Sequence, residues 1–340
     1  MGRLRVQTPR LYAVDLWDEI SSCAESFRAK GLLLWLFCQI RRIEFELMQK
    51  VFNKVCACVV GLLTLAALVS LVLVIYFIFR EALPLFSEVS LSEFLLGQRW
   101  MPIDYTGSTS FGIFNFIIST LFVSLLALAI SLLISLGAAL FLSCVASERA
   151  RGFLYPLIDL LAGIPSVVYG FVGIVVMLPL FMKAGVSTGS CILAAAILLA
   201  VMLFPFLIGS CSESLLKARA RYGAAASALG VDSWYAAGTL LLPATWRGIV
   251  MAVVLAIGRA MGETMAVMMV IGNANMFPTL LGKGESIASL IALEMGTAVV
   301  DSTHYHALYA AGLVLMVLLL AINIVITLIK RRIEKKGWVS

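Results

Sequence analysis

Residues 249–273 read IVMAVVLAIGRAMGETMAVMMVIGN, an apolar run long enough to cross a bilayer as one helix. Arg259 and Glu263 stand near its middle, where a charge is costly, so each is a candidate functional group by default. On a continuous helix the two lie four apart on a common face, able to pair with one another and to look together into a bundle interior or a water-filled path. Two readings stand at this point: a structural ion pair that locks the helix to a neighbour, or the lining of a substrate path. In neither does that face look at lipid.

The rest of the chain has the same character. Of 340 residues, 62% are hydrophobic and 13% charged, and the mean hydropathy is +1.04, values that exclude an ordinary soluble domain. An all-α polytopic membrane protein follows. Runs at about 56–79, within 111–143, at 163–182, 190–209, 249–273 and 307–329 make six transmembrane helices. Of the 25 basic residues, 20 fall on one side of six alternating spans, which predicts that both termini are cytoplasmic. The net charge of +6 is thereby a product of topology, and no nucleic-acid partner is expected. The seven cysteines lie mostly in or beside apolar runs and read as small apolar residues, with no disulfide framework and no metal set.

Residues 1–50 read as a cytoplasmic extension, partly helical and membrane-lying, and 51–340 as the six-helix domain. The run 31–40 is too short to span and is followed by Arg41 and Arg42. The outer connections 80–110 and 273–306 have room for short helices. His304 and His306 in the second of these have no carboxylate or cysteine cluster in sequence and are assigned no site. In AGIPSVVYG (162–170), Pro165 removes a backbone donor and Gly163 and Gly170 allow close approach, so the third span is expected to open with a broken or kinked turn. Backbone freed at membrane depth must face protein or water, which makes Ser166 and Tyr169 candidate path residues beside the alternative of a packing kink. Met261, Met265, Met268 and Met269 read as adaptable packing.

Between the fourth and fifth spans, in the loop 211–247, the chain runs ESLLKARARYGAAASALGVDSWYAAGTLLLPATWRG (213–248). The alanines 224–226 and 228 favour a helix with a thin side, and Gly230 ends it in a left-handed turn. Asp232 or Ser233 then caps a second helix that stops before Pro243. Taken alone this is an amphipathic hairpin on the membrane's inner face. Ala225, Ala226, Gly230, Leu240, Leu242 and Pro243, however, stand at the spacing of the E-A-A-x-x-x-G-x9-I-x-L-P signature of ATP-binding-cassette importer permeases. Ala224 stands where that signature has Glu, and Leu240 where it has Ile.

Two further stretches, LLAGIPSVVYGFVGI (160–174) and GRAMGETMAVMMVIGN (258–273), with Trp100-x-Pro102, resemble the PstC-type permeases of phosphate-specific importers over roughly residues 55–335. The resemblance implies the type I importer permease fold and a bacterial inner-membrane location. It also implies a heterodimer with a PstA-like permease, two PstB-like ATPase subunits docked on the 211–247 loop, and a PstS-like periplasmic phosphate-binding protein. No G-x-x-x-x-G-K-[ST] occurs in the sequence, so the chain is expected to be no enzyme and to hold no cofactor, ATP being bound by the partner subunits. Permeases for sulfate, molybdate or phosphonate share the loop signature, and phosphate permease complexes are also associated with signalling; both remain alternatives on sequence. A secondary transporter is disfavoured, since no repeat of broken helices recurs in two halves.

Overall fold

The computed structural model describes residues 31–102 and 109–335, so the expectations for 1–30 lie outside the described residues. Helix α1 (Gly31–Ala82) runs without a break from the 31–40 stretch through the first span. The intervening charges interrupt hydropathy but not helicity, because Glu, Lys, Arg and Leu are all good helix formers. One compact unit ends within α1 at Ile75; the second begins at Tyr76 and holds the elements that follow.

After α1 come α2 (Leu85–Glu88), α3 (Leu91–Leu96) and a two-stranded antiparallel pair, β1 (Trp100–Met101) and β2 (Ser110–Phe111), in the register Trp100 opposite Phe111. Helix α4 (Phe114–Leu140) continues as a π-helical turn at Phe141–Val145. Ser147 caps α5 (Glu148–Ala162), its oxygen accepting from the Ala150 N–H at 3.3 Å. This helix fills the stretch between the expected second and third spans. One face of α5 packs through Leu154, Tyr155 and Ile158 against Leu142 and Ile208, while Phe153, Leu157 and Leu160 are exposed, as in a helix lying in a membrane interface.

The expected broken turn follows. Gly163 ends α5, Pro165 is extended (φ −59°, ψ 142°), and α6 (Ser166–Val172) starts beyond it, passing through a π-helical turn at Gly173–Met177 into α7 (Leu178–Lys183). Helix α8 (Ile192–Ala228) is the centre of the bundle. Its buried alanines 194–196 and 200 let neighbours approach closely, and its lower half buries Leu203, Leu207, Cys211 and Leu215. Facing it, α4 buries Thr120, Ser124, Ser131 and Ser135. Thr120 and Ser124 return their hydroxyls to the carbonyls of Phe116 and Thr120 at 2.7 Å, which satisfies two of these polar groups without a partner helix.

Next come α9 (Ser233–Ala236), a π-helical turn at Ala237–Leu241, α10 (Leu242–Ala244), α11 (Trp246–Gly262), α12 (Met265–Ile271), α13 (Ile287–Glu294) and α14 (Thr303–Lys335). Among the described residues five helices are long and apolar enough to cross a membrane, and a sixth span is obtained if Trp234–Ala244 and Trp246–Gly262, bent 67° at their junction, are taken together. The segment after α12 turns back on itself. Gly272 is left-handed (φ +101°), and the carbonyls of Gly282 and Leu280 accept from the otherwise orphaned N–H groups of Ile192 and Leu193 at 3.0 Å.

The outer connections fold into a cap around Leu85, Phe94, Trp100, Phe111, Phe116, Ile287 and Leu308. Here the two histidines, assigned no site, meet carboxylates brought in by the fold. One carboxylate oxygen of Glu294 accepts from Trp100 Nε1 at 2.8 Å and lies 2.8 Å from His304 Nε2, while His306 Nδ1 lies 2.8 Å from the Glu81 carbonyl oxygen and 3.9 Å from its carboxylate. These contacts close across nearly two hundred positions for the tryptophan, beyond the reach of local spacing. Glu285, buried beneath the same cap, has its carboxyl pushed up to about 7 by burial and by the Glu294 charge.

Candidate functional site

The run 249–273 is not one helix. Helix α11 ends at Gly262, Glu263 is extended (φ −73°, ψ 117°), Thr264 is the N-cap residue between the two helices, and α12 begins at Met265. Gly262 weakens the helix at that point, and the Glu263 side chain starts the next one, its Oε1 accepting from the Ala266 N–H at 3.3 Å. A carboxylate at a helix N-terminus is favoured electrostatically. The common helical face expected for Arg259 and Glu263 therefore does not exist, and among the described residues the two form no ion pair. The Gly-Glu-Thr triplet at 262–264 was the available signal, a weak helix former followed by residues able to accept from the next turn.

A break within an apolar run leaves backbone carbonyls and N–H groups that must face protein or water. The structure brings α6 alongside. A Cβ at Gly170 would displace Met269 Sδ and sit 3.2 Å from the Ala266 Cα, so glycine eases this approach of α6 to α12. Tyr169 is buried, donates its hydroxyl to the Leu161 carbonyl at 2.9 Å, and lies within electrostatic reach of Arg259. Ser166, half-buried, occupies the same face of α6 one turn earlier. Arg259 is exposed on the chain, and Glu263 and Thr264 are half-buried. The break thus presents one guanidinium, one carboxylate, a tyrosine and helix ends, an arrangement able to attract a small anion and to grade it by its protons.

The second candidate element is the hairpin. Helix α8 closes in a Schellman arrangement: Val231 N–H donates to the Ala226 carbonyl at 3.0 Å and Gly230 N–H to that of Ser227 at 3.1 Å, with Gly230 at φ +69°. Asp232 caps α9, accepting from the Trp234 N–H at 2.9 Å. The second helical segment does not stop before Pro243. Pro243 falls in the first turn of α10, where its missing N–H costs nothing, and the preceding π-helical turn resets the register. Ala225, Gly230, Leu240 and Pro243 are exposed and Leu242 is half-buried. Ala226 is buried within this chain, so the small-residue face is not wholly free for a partner. Leu229, at 80% exposure, and Trp234 and Tyr235 add an apolar tip.

Comparison with known proteins follows the same lines. The family model described as "Binding-protein-dependent transport system inner membrane component" matches residues 131–336. The probable ABC transporter permease protein YqgH of Bacillus subtilis is 34% identical over 236 residues, 69% of this chain and 76% of its own. The phosphate transport system permease protein PstC of Xylella fastidiosa is 33% identical over 293 residues, 80% of this chain and 87% of its own. The corresponding probable protein of Methanocaldococcus jannaschii is 32% identical over 275 residues, covering 75% and 86%. Among solved structures, the MetNI methionine ABC transporter in an inward-facing conformation superposes with a TM-score of 0.51 at 19% identity, over 63% of this chain and 92% of that one, a likeness of fold alone.

Proposed function

We propose, from the premise that this chain belongs to the family of binding-protein-dependent transport system inner membrane components, that it is the membrane-spanning permease subunit of an ATP-driven importer of inorganic phosphate. The observation that carries the substrate is the 33% identity over 293 residues to a phosphate permease, a match that includes both the broken, charged span and the hairpin. In this reading Arg259, Glu263, Ser166 and Tyr169 line the translocation path or its gate. Ala225, Ala226, Gly230, Leu240, Leu242 and Pro243 form the element that docks in an ATPase subunit. ATP hydrolysis resides in two PstB-like subunits, since the sequence has no P-loop. A PstA-like permease completes the path, and a PstS-like protein delivers the ion from the periplasm of a bacterial inner membrane. Reconstitution of the chain with these partners in vesicles tests the proposal: ATP-dependent uptake of labelled phosphate, with labelled sulfate excluded, is expected. Equal uptake of sulfate, or uptake of neither, overturns it.

The lysine and arginine distribution supports a cytoplasmic location for both termini and the hairpin in this reading. Residues 284–290 are buried, so a labelling site belongs elsewhere in the outer connection; Val299 is 74% exposed. Val299→Cys is expected to react with an impermeant maleimide added outside intact cells, and Leu229→Cys only after the membrane is opened. The reverse pattern would invert the topology.

A further inference from the structure

We propose that a cavity at the root of the hairpin is a binding site for a phosphate group, one created where this chain departs from the family's signature. The cavity, about 500 Å³ and open to one side, is lined by Glu148, Arg151, Arg219, Ala224, Val231 and Leu241, among others. Its volume is that of a small-ligand site. Arg151 donates from Nε to the Leu142 carbonyl at 2.6 Å and from Nη2 to that of Ser143 at 2.7 Å, and Arg219 donates from Nη1 to the same Ser143 oxygen. The two guanidinium groups therefore meet on one atom, at the end of the π-helical turn that closes α4.

The helix end, with its partial negative charge, accounts for part of this arrangement and offsets part of the repulsion between the two cations. Among the described residues the carboxylate that lines the cavity with them is Glu148. Glu148 lies 3.6 Å from Arg151, but its side chain is 95% exposed and the pair is correspondingly weak. Glu213 is engaged with Lys217 at 2.7 Å, and Asp232 with the N-terminus of α9. Arg219 uses one of its five N–H groups in these bonds and lines the cavity with the rest.

Ala224 lines the same cavity, at the position where the importer signature carries Glu. A carboxylate there would join Glu148 on the cavity wall and balance the arginine pair; with a methyl group in its place the two guanidinium groups share the one exposed Glu148 carboxylate. A tetrahedral oxyanion suits paired guanidinium forks. The walls come from the end of α4 with the start of α5, from the C-terminal turns of α8, and from the hairpin residues Val231 and Leu241, so an occupant would bridge the span to the hairpin. The shared chemistry is a phosphate group, and it has two sources: free phosphate on the inner side, or the phosphodiester of an anionic lipid reached along the interfacial face of α5.

Ala224→Glu separates these outcomes without removing any side chain the fold uses. The assembled complex, in nanodiscs of phosphatidylcholine alone, is titrated with inorganic phosphate by calorimetry. In parallel, the complex purified from membranes containing phosphatidylglycerol is weighed by native mass spectrometry. Phosphate binding that Ala224→Glu weakens at least tenfold, with Arg219→Gln weakening it comparably, supports the site with the free ion as occupant. Retained phosphatidylglycerol that both variants lose, without such phosphate binding, supports it with the lipid. Wild type and Ala224→Glu indistinguishable in both measurements overturns the proposal, whichever ion the complex transports.

Discussion

Arg259→Gln is expected to reduce ATP-driven phosphate uptake on the order of a hundredfold while the complex still assembles. The arginine is exposed at the broken span, among the described residues it has no carboxylate partner within the chain, and its charge reaches Tyr169 across the α6 contact. Removing it costs the chain no ion pair. It costs a passing anion a charge-assisted hydrogen bond, at most about 3 kcal/mol, and each ~1.4 kcal/mol is tenfold. Arg259→Lys keeps the charge but loses the planar fork that matches a tetrahedral oxyanion, so it too is expected to be impaired.

Glu263 requires a different pair of substitutions, because its carboxylate also starts α12. Glu263→Gln retains an acceptor for the Ala266 N–H and removes only the charge. Phosphate near neutral pH still carries a proton that a carboxylate can accept, whereas sulfate carries none and is repelled. The expected result is impaired phosphate uptake or admission of sulfate at normal thermal stability. Glu263→Ala additionally loses the cap, at about 1 kcal/mol. Uptake assays of labelled phosphate and sulfate on purified, reconstituted variants decide the matter. Normal rate and selectivity in both Arg259→Gln and Glu263→Gln would reduce the two residues to parts of the helix break.

The architecture was readable in the chain where a signal is either long or purely local. Apolar runs and the basic residues between them identify a polytopic bundle, and Gly230 and Asp232 announce the hairpin turn because one residue's conformation and one side chain's acceptor suffice. The break at Glu263 was hidden for the opposite reason. Hydropathy averages over a run, and seven apolar residues on the far side of Gly262 score as a continuation of the helix although a cap restarts it. Spacing then misled, since four positions place two side chains on one face only if the helix between them is whole. The π-helical turns at Phe141–Val145 and Ala237–Leu241 leave no mark in a periodicity of 3.6, yet each alters which residues face inward. Ala226, read as part of a docking face, is also buried within its own chain, a contact made by chain return that local spacing does not announce. The Glu294 contacts and the convergence of Arg151 and Arg219 on Ser143 depend on chain return and were not legible at all.

Gly230→Val is expected to lower ATP-coupled uptake on the order of ten- to a hundredfold and to weaken retention of the ATPase subunits. The turn itself sets the magnitude. At φ +69° a residue with a Cβ is strained, roughly 1–2 kcal/mol for an ordinary side chain, and a β-branched one resists more. Among the described residues, its two chain neighbours aside, no atom lies within 4 Å of where that Cβ would stand, so collision with them contributes nothing. Strain instead opens the two hydrogen bonds that close α8, Val231 to Ala226 and Gly230 to Ser227, and with them the aim of Leu229, Trp234 and Tyr235 at the tip. Ala226→Arg would be a poorer probe, because that side chain is buried within the chain and its replacement would disrupt the permease before any partner. Gly230→Asn supplies the control, since asparagine enters the left-handed region readily. Near-normal uptake and co-purification of the ATPase with Asn, together with loss of both with Val, place the requirement in the backbone of the turn. Equal damage from both would shift it to the open space around Gly230, filled in the complex by a partner that tolerates no side chain there. Normal transport and normal ATPase retention in Gly230→Val would remove the hairpin from the coupling of hydrolysis to transport.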